Sequence, residues 1–150
     1  ADMAKPEAGA AVDVRLAAAR IADALRNRLR IVIDFPDDLP RVAVPEASLE
    51  MALTILLENS RQVGAGEVAI TALVEDEQVC LRVADDGPGV AEGDAGRIFE
   101  PFFTTRRSEG GAGLGLSIAR SLLRANHADL VLKSSSKGAA FELVLPCSLG

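Results

Sequence analysis

The chain has 150 residues, of which 49% are apolar and 25% charged, and the apolar ones are spread along the whole length. That is enough for one folded domain with its own core and too much for a disordered segment. The net charge of −6 excludes a general nucleic-acid surface, which needs clustered positive charge, but leaves room for a small anion held by backbone N–H groups.

No apolar run approaches the roughly 18 residues that cross a membrane. Asp2, Lys5, Pro6 and Glu7 interrupt the Ala-rich start, so no signal peptide is expected there. Residues 1–11 are expected to be a linker or remnant and 12–150 the domain. The fragment is expected to be cytoplasmic with no direct membrane contact of its own, whatever anchors its parent. Cys80 and Cys147 match no metal or redox spacing and are expected to be free, buried thiols. With no Trp or Tyr, aromatic stacking is excluded as the main recognition device.

In chain order, residues 12–14 predict a short strand. Helical spacing follows over 16–29, with Leu16, Ala19, Ala22, Leu25 and Leu29 on one face. Residues 31–35 predict a strand closed by Pro36-Asp37-Asp38, and 41–44 a short strand stopped by Pro45. The next helix covers 46–63, with Leu49, Ala52, Leu53, Leu56 and Ser60 as its buried stripe and Gly64 and Gly66 as its end. Strands at 67–74 and 78–85 follow, turned at Glu75-Asp76-Glu77. Residues 86–113 are rich in Gly and charge, as expected of a functional loop or lid. A helix at 114–126 and a hairpin of 130–134 with 140–145, turned at Ser136-Lys137-Gly138, complete the chain. The short turns between neighbouring strands predict an α/β two-layer sandwich. Its sheet is mixed and mostly antiparallel, with the helices on one face.

Four stretches carry chemistry. Val79, Leu81, Val83 and Asp85 share one strand face, so Asp85 continues an inward apolar row as a carboxylate and needs a partner. The exocyclic amine of adenine suits it, because the amine donates where the carboxylate accepts. Gly87 and Gly89 allow a sharp turn and close approach to a ligand. The same pentapeptide alone also fits an ordinary acidic turn. Gly111, Gly113, Leu114, Gly115 and Leu116 open the last long helix, where free N–H groups and the helix dipole attract an anion. No strand precedes them and no Gly-Lys-Ser/Thr ending follows, which disfavours dinucleotide and P-loop patterns. Between these lies the run from Ile98 to Arg107, with Phe99, Phe102 and Phe103 as an apolar anchor and Arg106 and Arg107 in reach of phosphate oxygens. On the second helix, Asn59 offers a hard oxygen suited to Mg²⁺, although taken alone an Asn there is more often a helix-surface or capping residue.

Taken together and in this order, the four stretches resemble the N, G1, F and G2 boxes of sensor histidine kinases, within the GHKL ATPase superfamily. The likeness covers residues 12–146. It implies a Bergerat fold that binds ATP and Mg²⁺ beneath a mobile lid. Asn59 would hold the metal, Asp85 the adenine amine, and Gly87 and Gly89 the floor. Gly111, Gly113 and Gly115 would wrap the phosphates, with Leu114 and Leu116 beside them. Phe99, Thr104 and Thr105 would couple lid to partner, in wording most like nitrogen- and oxygen-sensing kinases, and Arg106 would lie in reach of the phosphates. The implied activity is transfer of the γ-phosphate to a histidine on a separate dimerisation domain, with a response regulator downstream.

The chain also departs from the pattern. Ile55 and Gln62 stand where the family often has Asn and Lys, with Arg61 or Arg106 as candidate replacements. Ala139 and Ala140 stand where a Thr pair is frequent, a phosphate-side contact on this resemblance. The only histidine, His127, falls at a helix end and is expected to be structural rather than the phosphoacceptor. A degenerate regulatory module or an anti-sigma-type serine kinase switch are the alternatives.

Overall fold

The computed structural model describes residues 10–103, 114–133 and 137–148. Helix α1, Val14–Leu25, begins where the Asp13 carboxylate accepts hydrogen bonds from the N–H groups of Arg15 (2.9 Å) and Leu16 (3.2 Å). Such a cap satisfies donors that the helix cannot. The cap displaces the strand predicted at 12–14. Only Val12 pairs, through a two-bond bridge to Val42, and Val42 in turn bridges Cys147. The segment at 41–44 is likewise a bridge rather than a strand. Helix α1 stops at Leu25, short of the expected residue 29, yet Leu29 is still buried.

Strand β1, Arg30–Asp34, leads through a loop to helix α2, Glu46–Gln62, which starts directly after Pro45. Leu49, Ala52, Leu53, Leu56, Leu57 and Ser60 form its buried face. The end of α2 is a Schellman turn. The N–H of Gly64 (φ +89) donates to the Arg61 carbonyl and that of Ala65 to the Ser60 carbonyl. Strands β2, Glu67–Glu75, and β3, Gln78–Asp85, form a hairpin whose two turn residues, Asp76 (φ 53) and Glu77 (φ 63), are both left-handed. That is the turn whose twist matches the flanking strands. A 3-10 turn at Glu92–Asp94 precedes helix α3, Gly115–Arg124, followed by β4, Asp129–Lys133, and β5, Ala140–Pro146.

The sheet order is β1-β2-β3-β5-β4. β1 pairs with β2 in parallel, and the other three pairings are antiparallel. One sheet face carries Val68, Ile70, Val79, Leu81, Val83, Leu143 and Leu145, which join the buried faces of the helices in a single core. On the other face Val32 and Leu73 are exposed. The two-layer, mostly antiparallel arrangement is as expected. It also brings the end of β3, the starts of β2 and β5, and the last turn of α2 to one end of the molecule, around Asp85.

Candidate functional site

Asp85 is the last residue of β3, and only 6% of it is exposed. Strand alternation aims its side chain inward, so the carboxylate needs donors. Three converge on it. The Ser60 hydroxyl donates to Oδ2 at 2.7 Å, and the N–H groups of Gly87 and Ala139 donate to Oδ1, each at 3.0 Å. The Asp85 N–H returns a bond to the Ala139 carbonyl at 2.9 Å, locking the β5 approach to the end of β3.

The glycines here have separate jobs. A Cβ on Gly87 would lie 3.3 Å from Asp85 Oδ1 and 3.3 Å from the Val63 side chain, so the turn after β3 passes tightly over the carboxylate. Gly138 (φ +69) is tighter still, because a Cβ there would meet the Asp85 carbonyl oxygen at 2.0 Å. Gly89 (φ +81) rests against the Gly138 carbonyl oxygen. Neighbouring Asp86 points the other way and closes the β1-side loop. Its Oδ1 accepts from the N–H groups of Gly66 (2.8 Å) and Glu67 (3.0 Å), and these bonds, that from Glu67 foremost, hold its carboxyl below the ordinary range.

Asn59 is half-buried on the turn of α2 beside Ser60, and Gln62 is exposed. Arg61 pairs with Glu58, Nε to Oε1 at 2.7 Å. Ile55, one turn before Asn59, packs toward the start of α3. A Cβ on Gly115 would stand 3.2 Å from its Cγ2. At that helix start Leu114 is half-buried, Gly115 is exposed and Leu116 packs against the core. Before it, the lid base is pinned by aromatic contacts. Phe99 meets the Phe141 ring edge-on at 6.2 Å, and Arg120 of α3 stacks on Phe99 at 4.3 Å. Arg97 covers Phe103 at 4.6 Å, while Phe102, in a left-handed conformation (φ 71), stays 62% exposed. Thr104, Thr105, Arg106, Gly111 and Gly113 lie outside the described residues, as does the rest of the expected lid from 104 to 113.

The family model described as "Histidine kinase-, DNA gyrase B-, and HSP90-like ATPase" matches residues 45–149. The chain belongs to this family. Among relatives of this ATPase domain, the alginate biosynthesis sensor protein KinB of Pseudomonas aeruginosa is 31% identical over 123 residues, covering 80% of the chain and 21% of KinB. The adaptive-response sensory kinase SasA of Gloeothece citriformis is 35% identical over 124 residues, covering 79% and 32%. The chain thus spans between about a fifth and a third of these curated relatives. Among solved structures, full-length ShkA in complex with AMPPNP superposes with a TM-score of 0.82 at 30% identity, covering 94% of this chain and 31% of that one. The ATP-binding domain of PrrB from Mycobacterium tuberculosis gives 0.74 at 26% identity, covering 91% and 95%. The fold is that of histidine kinase catalytic domains.

Within this ATPase domain, position 139 has a role that its side chain does not show: its backbone N–H bonds the Asp85 carboxylate. That contact needs only an N–H, so an Ala suffices for it. Three residues packed around Asp85 were not recognised from sequence as its neighbours: Ser60 and Ala139, which donate to it, and Gly138, which lies against it. Ser60 carried a usable signal, being a hydroxyl on an otherwise apolar helix stripe, which calls for a buried acceptor. The other two carried none, since their role depends on β5 reaching β3 across 54 residues. His127 sits with φ 64 in a Schellman turn closing α3, its N–H donating to Arg124 and that of Ala128 to Leu123. Cys80 and Cys147 are free, the first buried and the second half-buried, and burial raises both thiols above their ordinary range. No helix among the described residues is long and apolar enough to cross a membrane.

Proposed function

We propose that this chain is the ATP-binding catalytic domain of a two-component sensor histidine kinase. It would present the γ-phosphate of Mg-ATP to a histidine on a separate helical dimerisation domain, with a response regulator receiving the phosphoryl group afterwards. The observation that carries this is the buried Asp85, a carboxylate held in place by three donors at the mouth of a glycine turn.

The residues present fit a purine nucleotide. A carboxylate has about four acceptor positions, and among the described residues three are taken, leaving one on Oδ2 for an outside donor such as the adenine amine. Gly87 and Gly89 let the turn after β3 lie close against Asp85 and the Gly138 backbone, which shapes the floor on which a purine would rest. Among the described residues no three His, Cys, Asp or Glu side chains gather as a metal site. On the family's pattern, Mg²⁺ would be held by the Asn59 oxygen together with phosphate oxygens and water, as that ion prefers. Bound Mg-ATP supplies the transferable phosphoryl group and the charge that neutralises it. The protein's share is positioning: Asp85 orients the base, the start of α3 faces the phosphates with its N–H groups and dipole, and the Phe99 anchor ties the lid base to α3. Gly111, Gly113, Thr104, Thr105 and Arg106 would complete the phosphate side. His127, locked in the turn after α3, has a capping role.

The test is calorimetric titration with ADP and Mg-ATP beside Asp85→Asn. The variant puts an NH₂ donor where Oδ2 stood, so binding should fall about ten- to a hundredfold, the worth of a charged hydrogen bond. Unchanged affinity would overturn the assignment. One observation favours a second possibility, a regulatory nucleotide-binding module. Ile55 fills the place beside Gly115 with an apolar side chain that cannot ligate a metal. Nucleotide binding without label transfer from ATP to the helical histidine domain would select that module.

A further inference from the structure

We infer that Ser60 is a specificity-determining residue of the nucleotide site, fixing Asp85 so that its remaining acceptor admits a 6-amino purine and rejects a 6-oxo one. This rests on the proposed nucleotide function. Ser60 is 3% exposed, and its hydroxyl donates to Asp85 Oδ2 at 2.7 Å. A hydroxyl has one proton to give. With that proton committed to Oδ2, Ser60 presents only lone pairs elsewhere, and Asp85 has one acceptor position left on the same oxygen. The pair therefore forms an edge that accepts and does not donate. An amine fits such an edge, whereas a carbonyl oxygen meets it lone pair to lone pair.

The hydroxyl is held where it is by the backbone. The Ser60 carbonyl receives the N–H of Ala65 at 3.0 Å in the Schellman turn made possible by Gly64 at φ +89. The other carboxylate oxygen is held by the Gly87 and Ala139 N–H groups. The carboxylate thus cannot rotate without breaking bonds to α2, to the turn after β3 and to β5 together. Removing the Ser60 hydroxyl releases one of these three holds and leaves Oδ2 with two open positions, so only the bonds at Oδ1 still orient the group and either position on Oδ2 can meet the base.

The experiment compares ADP with inosine diphosphate, which carries a carbonyl in place of the 6-amino group, on the wild-type chain, Ser60→Ala, Ser60→Thr and Asp85→Asn. Thermal melting checks that each variant folds. The wild-type chain should prefer ADP. In Ser60→Ala the ADP-over-IDP ratio should fall about tenfold, the low end of what a charge-assisted hydrogen bond is worth. Ser60→Thr, which keeps the hydroxyl, should restore most of the ratio. If Ser60→Ala weakens both nucleotides equally, or leaves the ratio unchanged while Asp85→Asn collapses it, the inference on Ser60 is overturned and the nucleotide site stands. A wild-type chain that binds neither nucleotide overturns both.

Discussion

Gly138 shows how one residue can matter through space that a sequence does not display. Its turn approaches Asp85 so closely that a Cβ would lie 2.0 Å from a backbone oxygen, and its φ of +69 is one that L side chains resist. Gly138→Ala must push the turn away and break the exchange between Asp85 and Ala139. The variant should lose more than about 1 kcal/mol in urea denaturation, beyond a simple glycine effect. It should also lose ADP affinity in calorimetry. A variant as stable as the parent that bound ADP equally well would show the turn to be unimportant. Asp85, by contrast, was legible from its strand alternation alone. What alternation could not give was its partners, since two of them are backbone N–H groups with no side-chain signature.

Local chemistry sets the elements, and loops are where it also sets pH dependence. Asp86 ties the turn after β3 to the segment between α2 and β2 by accepting from Gly66 and Glu67. These bonds lower its pKa in the folded chain below the ordinary 3.8. A depressed carboxylate contributes stability that is present above its unfolded pKa and lost as pH falls through the folded one. Asp86→Asn keeps an acceptor but not the charge, so its urea midpoint should fall less than the parent's between pH 7 and pH 3. Equal acid sensitivity would mean these bonds are not coupled to folding. Asp129, at the start of β4, behaves similarly. Burial raises it, but hydrogen bonds from Arg124, Leu130 and Arg120 and the charge of Arg124 outweigh that and leave it low. The helix ends were harder to place from sequence. Periodicity carried α1 on to Leu29, but α1 stops at Leu25 while Leu29 remains buried, so apolar spacing overran the helix. At α3 a Schellman turn with left-handed His127 closes the helix where no glycine marked the stop.

At the scale of the fold, the core joins α1, α2 and α3 to one sheet face. Leu143, fully buried at the centre of β5, is a fair probe of it. Leu143→Ala should cost about 2–5 kcal/mol in denaturant unfolding, as large-to-small core changes do. A loss under about 1 kcal/mol would mean the layer is loosely packed. Most strands were placed by alternation, but their spatial order was not. Nothing local indicates that β5 inserts between β3 and β4, or that β1 and β2 run parallel.

The amino-acid order alone determined the elements of a two-layer domain, the inward carboxylate at 85 and the ordered set of boxes from Asn59 to Gly115, because these depend on periodicity and spacing along the chain. Only the tertiary structure decided that Ser60, Gly138 and Ala139 surround that carboxylate, and that Ile55 abuts Gly115. Those contacts join residues far apart in sequence, and their energy comes from close approach and directed hydrogen bonds, which exist only once the layers have packed.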